Sequence, residues 1–540
     1  MLGRFLFISA VLAAVAASAS PPEGAPSAGE RIYRAGILPT GRPLQGGRDA
    51  GQRISGEAAA CVTCHRRSGL GSWEGQSVIP PIIGRYLFRP GARNVEDPNL
   101  PHIQGYVPHR DPYDDATLAR AIRKGVDQGG RQLSYLMPRY ELDDAAMKAL
   151  IAYLKSLTSG NVPGVVGETL HFATIVTPDA DPVARKGMLD VLQQFFADKN
   201  AGYRGTTPPL QSGRGVMYRV NRRWELHVWE LSGAPGTWAR QLRAKMAKTP
   251  VFVVISGIGG RTWAPVHQFC ERERVPCLFP NVDLPPVAEK DFYSIYFSRG
   301  ILLEADLMVQ RIAGLANNKP VRKLVQVFRE ADIGSEGAHS LALSLAKARI
   351  AVVNHPLSAG ADKRDIAAAL GDVSPGDALA LWLRPADLAA LPSPPASSSI
   401  ILASGLMAGM DDAPLPAAWR PETRLTYPMD PPDVRRVHMN FPFGWFHVRN
   451  IPIVAERIQT DTYLACVILA ETTGHMLDSF VRDYFVEQLE MSLSHRLVNA
   501  HYPRLSLAPG QRFASKGGYF ARFADGTGSR IVADSDWTVP

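Results

Sequence analysis

From residue 167 onward, short apolar runs alternate with longer segments in which apolar residues recur at helical spacing. An apolar run without interleaved polar positions is typical of a strand buried on both faces of a parallel sheet. The runs are residues 170–176, 251–256, 293–297, 324–328, 377–382 and 399–403, and the helical segments include residues 182–196, 302–313, 337–348 and 386–391. This alternation predicts an α/β architecture. Because about 370 residues are too many for one doubly wound sheet, we expect two lobes.

The preceding part of the chain has a helical pattern. Residues 115–124 form one predicted helix, and a second begins with the acidic pair Asp143 and Asp144. The apolar positions of the second helix are Met147, Leu150, Ile151, Leu154 and Leu157. Glycine and proline replace this pattern at residues 158–164. We therefore predict a first domain at residues 27–160, a linker at 161–166 and a second domain at 167–540.

The sequence Cys61-Val62-Thr63-Cys64-His65 places two thiols three residues apart with an imidazole directly after them. This spacing is the attachment signature of a c-type haem, because each thiol adds to one vinyl group and the histidine is held under the ring. A redox Cys-x-x-Cys pair and half of a zinc site are the alternatives, although the sequence offers no second ligand pair at suitable spacing. We expect one covalent haem c, attached through Cys61 and Cys64, with His65 as an iron ligand.

An electron-transfer haem needs a second axial ligand, and Met137 is the best candidate. Pro138 follows it and stiffens the backbone beside the sulfur. Met147 is expected in the core, because it lies on the apolar stripe of its predicted helix. His102 and His109 stay open as alternatives to Met137, and a histidine would lower the reduction potential that a methionine raises.

The order of these features resembles the class I cytochromes c, in which a first helix, the Cys-x-x-Cys-His motif, a Met-Pro loop and a last helix follow one another. Residues 29–33 are similar to the first helix of that family, and residues 152–157 are similar to the last. The long intervals from Tyr33 to Cys61 and from His65 to Met137 depart from the family pattern. The resemblance implies an all-α domain that carries single electrons and has no catalytic residues or turnover of its own.

The second domain resembles type 1 periplasmic binding proteins of the branched-chain amino acid class. The similar segments are residues 253–260, 269–271, 275–280, 297–300 and 513–519. The resemblance implies a two-lobed α/β domain that closes on a small organic ligand such as an amino acid. By their position after strands, Ser256, Gly257 and Ser298 are the candidate ligand-binding residues. Serines at strand ends are also common as helix caps and turn residues, and that alternative stays open.

The N-terminus and the remaining cysteines bear on the compartment. Residues 1–19 combine Arg4, an apolar run and a small-residue end, which predicts a signal peptide. No later run reaches the roughly 20 apolar residues of a membrane span, so we expect a periplasmic chain without one. Cys270 and Cys277 either form a disulfide or remain buried thiols, and Cys466 lies in an apolar run.

A formal net charge of +8 over 540 residues is modest, and without a dense basic cluster we expect no nucleic-acid partner. We expect a periplasmic redox partner, such as a dehydrogenase or another cytochrome. Two functions fit this organisation. One is an electron carrier whose larger domain binds a small ligand or docks a partner, and the other is a solute-binding receptor whose haem acts as a redox sensor. A catalytic open haem site requires that Met137 does not bind iron.

Overall fold

The computed structural model describes two compact units, which we call unit 1 and unit 2. Unit 1 comprises the described residues up to 157, and unit 2 comprises those from 162 onward. The described residues are 26–48, 51–74, 77–88, 111–157, 162–202, 210–211, 217–218, 222–286, 291–316, 321–395, 400–476, 479–496, 500–524 and 528–540. The predicted signal peptide at residues 1–19 lies outside them. Among the described residues, no helix is both long and apolar enough to cross a bilayer.

The described part of unit 1 contains five α-helices and one 3₁₀ helix. They are α1 (Ala28–Ala35), α2 (Val62–His65), α3 (Gly84–Leu87), α4 (Asp115–Lys124) and α5 (Asp144–Ser156), with a 3₁₀ helix at Gly56–Ala59. Asp143 caps α5 by accepting a hydrogen bond from the amide of Ala146, and Asp114 forms a capping box with Thr117 at the start of α4. The acidic residues at these two boundaries therefore begin the helices as expected.

The first and last helices of unit 1 pack closely together. A methyl group at Gly29 of α1 would overlap the backbone carbonyl of Ala149 in α5, so only glycine permits this approach. One turn later, the rings of Tyr33 and Tyr153 lie 5.3 Å apart. The surrounding core includes Ile32, Leu118, Ile122, Met147, Leu150, Ile151 and Leu154. Met147 is therefore a core residue, as its position on the apolar stripe predicted.

Unit 1 also contains short strands, which amends the expectation of an all-α domain. They are β1 (Gln45–Gly47), β2 (Arg53–Ser55), β3 (Ser72–Glu74), β4 (Ser77–Ile79) and β5 (Arg139–Tyr140). The antiparallel order β2-β1-β5 forms one small sheet, and β3 pairs with β4. Strands β1 to β4 lie in the two intervals that are longer than in the family pattern, and β5 follows the Met-Pro segment. A search for helical spacing in the sequence does not detect such short strands.

The first sheet of unit 2 is parallel in its main path. Its strands are β6 (Val165–Val166), β7 (Thr169–Val176), β10 (Arg223–Glu230), β11 (Val253–Ile255), β12 (Cys277–Leu278) and β13 (Ser294–Ile295). The order is β10-β7-β11-β12-β13, and β6 pairs antiparallel with β7. Two further strands, β8 (Leu210–Gln211) and β9 (Met217–Tyr218), pair only with each other. The connecting helices are α6 (Pro182–Ala201), α7 (Trp238–Lys248) and α8 (Ala264–Arg272), with a 3₁₀ helix at Pro235–Thr237.

The second sheet of unit 2 is mixed. Its strands are β14 (Lys323–Arg329), β15 (Ala351–Leu357), β16 (Ala378–Trp382), β17 (Ile400–Ser404), β18 (Thr423–Tyr427), β19 (Tyr519–Phe523) and β20 (Ile531–Ala533), in the order β15-β14-β16-β17-β18-β19-β20. The first five strands are parallel, whereas β19 and β20 add an antiparallel edge. Parallel strands covered by helices therefore dominate unit 2, as the apolar runs predicted.

The remaining helices of unit 2 include two long ones that the sequence pattern had not delimited. The helices are α9 (Ile301–Ala316), α10 (Gly334–Lys347), α11 (Lys363–Leu370), α12 (Pro385–Ala389), α13 (Gly405–Ala408), α14 (Pro432–Arg435), α15 (Asn440–Val448), α16 (Glu456–Met476) and α17 (Arg482–Leu493), with a 3₁₀ helix at Met410–Asp412. Each sheet has its own hydrophobic core. Trp238, Trp263 and Phe269 pack on the first sheet, and Leu341 and Trp382 pack on the second.

Candidate functional site

One helical turn carries the Cys-x-x-Cys-His motif. Cys61 immediately precedes α2, and its carbonyl accepts hydrogen bonds from the amides of Cys64 at 3.3 Å and His65 at 2.9 Å. Residues three and four positions apart lie on the same side of a helix, so the two thiols and the imidazole are presented together. The helix ends at Arg66, whose φ of 63° turns the chain away.

The His65 side chain is buried and held by one hydrogen bond. Its Nδ1 lies 3.0 Å from the carbonyl oxygen of Pro80, and the residue is only 6% exposed. Because a carbonyl oxygen can only accept, Nδ1 carries the proton and Nε2 keeps its lone pair. Burial lowers the pKa of His65 to about 4, and the Pro80 carbonyl opposes this shift. The imidazole is therefore neutral and oriented, which is the form that ligates a metal.

The Cys61 and Cys64 side chains are both partly buried. Burial raises the pKa of Cys61 to about 12, and its neighbour Cys64 adds to the shift. The phenol of Tyr140 in β5 also has a raised pKa, mainly from burial and then from the charges of the two cysteines. Arg48 acts on Tyr140 in the opposite direction. Tyr140 is thus close enough to interact electrostatically with both cysteines and with Arg48.

Met137 lies in the segment that leads into β5. Its amide donates to the carbonyl of Ser134 at 3.0 Å, and its own carbonyl accepts from the Arg139 guanidinium. The Met137 side chain is partly buried and packs against the same hydrophobic core as Cys61. The alternative ligands His102 and His109 lie outside the described residues.

The candidate ligand residues of unit 2 stand at strand ends and are engaged within the protein. Ser256 follows β11 and is fully buried, with its Oγ 3.2 Å from Thr462 Oγ1 and 2.8 Å from Asn281 Nδ2. Gly257 has a φ of 115°, and a Cβ there would press on the ring of Trp263. The Ser298 hydroxyl accepts from the amide of Gly300 at 3.1 Å. In the structure Ser298 is therefore a turn residue, which is the alternative given above for serines at strand ends.

Two further polar features occupy the strand ends of unit 2. Asn281 is 6% exposed, and its side-chain oxygen Oδ1 has no hydrogen-bond partner among the described residues. Arg384, after β16, forms two hydrogen bonds to Asp332 at 2.8 and 2.9 Å, and this carboxylate raises the pKa of the guanidinium. The Asn281 carbonyl is thus available to a hydrogen-bond donor, whereas Arg384 is already paired.

Cys270 and Cys277 are buried free thiols in the structure, which corresponds to the reduced alternative. Burial raises the pKa of Cys270, and a hydrogen bond with Cys277 raises it further. Cys466 is also buried and free, as its apolar surroundings predicted.

Comparison with protein families identifies the part of the chain that carries the motif. Residues 49–158 match the family model described as Cytochrome c. This segment is a cytochrome c domain. The family implies a covalently bound haem c. A search of curated proteins finds no match to the chain.

Several solved structures are similar to part of the chain, at low sequence identity. A possible leucine/isoleucine/valine-binding protein from Rhodopirellula baltica SH 1 has 11% identity over 68% of this chain and 96% of that chain, with a TM-score of 0.47. A fatty acid ABC transporter substrate-binding protein from Thermomonospora curvata has 14% identity over 70% and 94%, with a TM-score of 0.48. A putative branched-chain amino acid ABC transporter from Rhodospirillum rubrum has 13% identity over 69% and 100%, with a TM-score of 0.47.

The residues of the cytochrome c domain fit a haem. The motif turn offers two thiols and an oriented neutral imidazole, and these are the donors that covalent attachment and iron ligation need. In addition, Arg48 Nε is buried without a hydrogen-bond partner among the described residues. An unpartnered buried guanidinium nitrogen is costly unless an anionic group completes it. A haem propionate is such a group.

Sequence reasoning missed the supporting residues of this site. The sequence pattern does not single out Pro80, Arg48 or Tyr140. No local signal marks them, because Pro80 meets His65 across 15 residues of chain and Tyr140 is far from both thiols in sequence. Only the Cys-x-x-Cys-His spacing and the Met-Pro pair are readable without the fold.

Proposed function

We propose that this chain is an exported monohaem c-type cytochrome that transfers single electrons in the periplasm. Cys61 and Cys64 would hold one haem c through two thioether bonds, and His65 Nε2 and Met137 Sδ would ligate its iron. The observation that carries the proposal is the hydrogen bond from the buried His65 Nδ1 to Pro80, on the turn that also bears both thiols. This bond fixes the tautomer that a haem-ligating histidine requires.

The protein side of the mechanism is orientation and exclusion of water. When bound, haem supplies an iron centre that cycles between ferrous and ferric states. The Pro80 carbonyl keeps the His65 proton on Nδ1, so Nε2 keeps the lone pair that would ligate the iron. A thioether from Met137 would favour the reduced state and raise the potential. Arg48 would compensate the charge of a propionate, and the domain would pass electrons to or from a redox partner such as a dehydrogenase or another cytochrome.

Replacement of Met137 tests the axial assignment. In protein matured with covalent haem, we expect a weak sulfur-to-iron band at the red end of the ferric spectrum, and we expect Met137→Ala to lose it. The reduction potential should also fall by on the order of 0.1 V, since axial ligands set haem potentials over about 0.8 V.

Met147→Leu is the matched control, because Met147 is a buried core methionine of the same domain. It should leave the band and the potential unchanged. A wild-type spectrum without the band would contradict the role of Met137, and a catalytic or sensing haem would then take precedence.

For unit 2 we propose two lobes, one for each sheet, that bind a small organic ligand such as an amino acid or dock the redox partner. Ser256, Gly257 and Ser298 are the proposed ligand-binding residues, and the unpartnered Asn281 Oδ1 beside Ser256 supports this region. Binding through Ser256 or Ser298 would exchange a present internal hydrogen bond for one to the ligand.

Thermal unfolding with a panel of free amino acids, including leucine, isoleucine and valine, tests the ligand. A ligand present at 100 times its Kd stabilises the folded state by about 2.7 kcal/mol through mass action. A ligand that raises the melting temperature and also shifts the haem potential would favour a receptor with a haem sensor. Stabilisation without a potential shift supports an electron carrier with an uncoupled binding domain, and no stabilisation leaves partner docking as the role of unit 2.

A further inference from the structure

Two histidines and a glutamate converge at the edge of the first sheet of unit 2. Glu225 and His227 alternate along the edge strand β10, so they lie on the same face of the sheet. On the neighbouring strand β7, His171 is directly opposite Glu225 in the parallel register and therefore shares that face. Strand geometry alone thus brings three potential metal ligands together.

The ligand atoms are close enough to share one ion. His171 Nδ1 and His227 Nε2 are 3.0 Å apart, and the carboxylate of Glu225 lies 3.7 Å from each of them. In a tetrahedral zinc site with Zn–N bonds of about 2.0–2.1 Å, neighbouring ligand nitrogens are about 3.3 Å apart. A hydrogen bond between the two rings accounts for the first contact only. It leaves the carboxylate at a distance beyond a hydrogen bond from both rings.

The surroundings suit an ion that enters from solvent. The side chains of His171 and His227 are 18% and 20% exposed, and the side chain of Glu225 is 51% exposed. The imidazole rings are nearly parallel, at 13°, so loading requires a modest rotation about the side-chain torsions. Burial, followed by His171, lowers the pKa of His227, and only Glu225 opposes this. Burial therefore favours the neutral form of the His227 imidazole, which is the form that ligates a metal.

A second cluster in the same sheet shows what an internally satisfied arrangement looks like. His267 uses both ring nitrogens, with Tyr296 Oη at 2.8 Å and Asp291 at 2.7 Å. The Glu271 carboxylate accepts hydrogen bonds from consecutive backbone amides that start at Phe292. These groups already have partners, so the His267 cluster is structural.

We propose that His171, Glu225 and His227 bind a Zn²⁺ ion and leave its fourth position to water. Two imidazoles and one carboxylate are a donor set that zinc accepts, and a site with three protein ligands keeps one position open. The ion ties the edge strand β10 to β7. It is independent of the haem, because none of its ligands belongs to the cytochrome c domain.

Zinc titration of the full-length haem-loaded protein in competition with a chromophoric chelator tests the proposal. We expect one high-affinity equivalent in the wild type. His171→Ala, His227→Ala and Glu225→Gln should each weaken binding at least about tenfold, because loss of even a supporting group around a metal costs about 10–100-fold.

His339→Ala is the matched control, because His339 is an exposed histidine of the same unit. It should bind zinc as the wild type does. The wild type binding no zinc, or all three ligand variants retaining full affinity, would overturn the proposal. If the variants fail to fold, anomalous scattering at the zinc edge from zinc-soaked wild-type crystals decides: a peak between the three side chains supports the site, and its absence refutes it.

Discussion

The motif turn of the cytochrome c domain and the strand-end network of unit 2 are assembled over very different distances along the chain. In the first, the Cys61 carbonyl accepts the amides of Cys64 and His65, so one turn of helix holds the chemistry. In the second, the bond between Ser256 and Thr462 joins residues 206 positions apart. The first geometry depends on local backbone structure, whereas the second exists only when α16 is packed against the first sheet.

This contrast explains what each region leaves for a ligand. The turn offers two thiols and an imidazole nitrogen, which are groups that a cofactor completes. The network satisfies the Ser256 hydroxyl internally, and within the described part of the chain the Asn281 side-chain oxygen has no hydrogen-bond partner. Local motifs can stay incomplete until a cofactor arrives, because their geometry does not rely on it. A long-range network stabilises the fold itself, so its polar groups are mostly paired already.

The largest expected effect comes from removing the local motif. Cys61→Ser together with Cys64→Ser should abolish covalent haem, since no thiol remains in the motif. Haem staining after denaturing electrophoresis and intact mass measure the loss. Cys466→Ala, which removes a buried thiol of unit 2, should keep full haem content. Covalent haem in the double variant would mean that attachment does not use this turn.

A second prediction concerns a long-range polar group of unit 2. Glu304 of α9 is fully buried, and it accepts hydrogen bonds from Ser404 Oγ and from the Leu406 amide at 3.0 Å. Burial raises the pKa of Glu304 from 4.5 to about 7, and Asp283 adds a smaller increase. The contribution of Glu304 to the free energy of unfolding is complete below pH 4.5 and is lost as the pH rises through about 7, because the folded state must then hold a buried charge.

Glu304→Gln should therefore remove part of the pH dependence of stability. Between about pH 5 and about pH 8, the wild type should lose about 2–3 kcal/mol of unfolding free energy that the variant keeps. Denaturant unfolding of unit 2 at both pH values measures this difference. Exposed Glu336→Gln serves as the control and should follow the wild type. Parallel curves for Glu304→Gln and wild type would show that the carboxyl is charged in the folded state throughout this range.

The smallest effect is expected from Ser256→Ala. This change removes the Oγ that accepts from Asn281 and contacts Thr462, but Asn281 Nδ2 keeps the Gly257 carbonyl at 3.2 Å. The loss of unfolding free energy should be about 1 kcal/mol, as for a typical buried hydrogen bond. Exposed Ser358→Ala should have no measurable effect. A loss no larger than that of the control would mean that the network does not link α16 to the sheet energetically.

The same contrast accounts for what the sequence could predict. Helix α4 and strand β16 were delimited almost to the residue, because capping residues and a continuous apolar run mark them locally. The long helix α16 was not recognised, because it buries polar residues such as Thr460, Asp461 and Thr462 that break a simple apolar stripe. The antiparallel edge β19–β20 was missed, because its pairing with β18 is set by the fold and not by its own pattern.

The glycine contact between α1 and α5 sets an order of events during synthesis. The two helices that close the cytochrome c domain come from its opposite ends, and α5 ends at Ser156. A chain made from its N-terminus therefore exposes Cys61 and Cys64 long before α5 can dock at Gly29. Closure of the domain therefore depends on residues that are made well after both thiols.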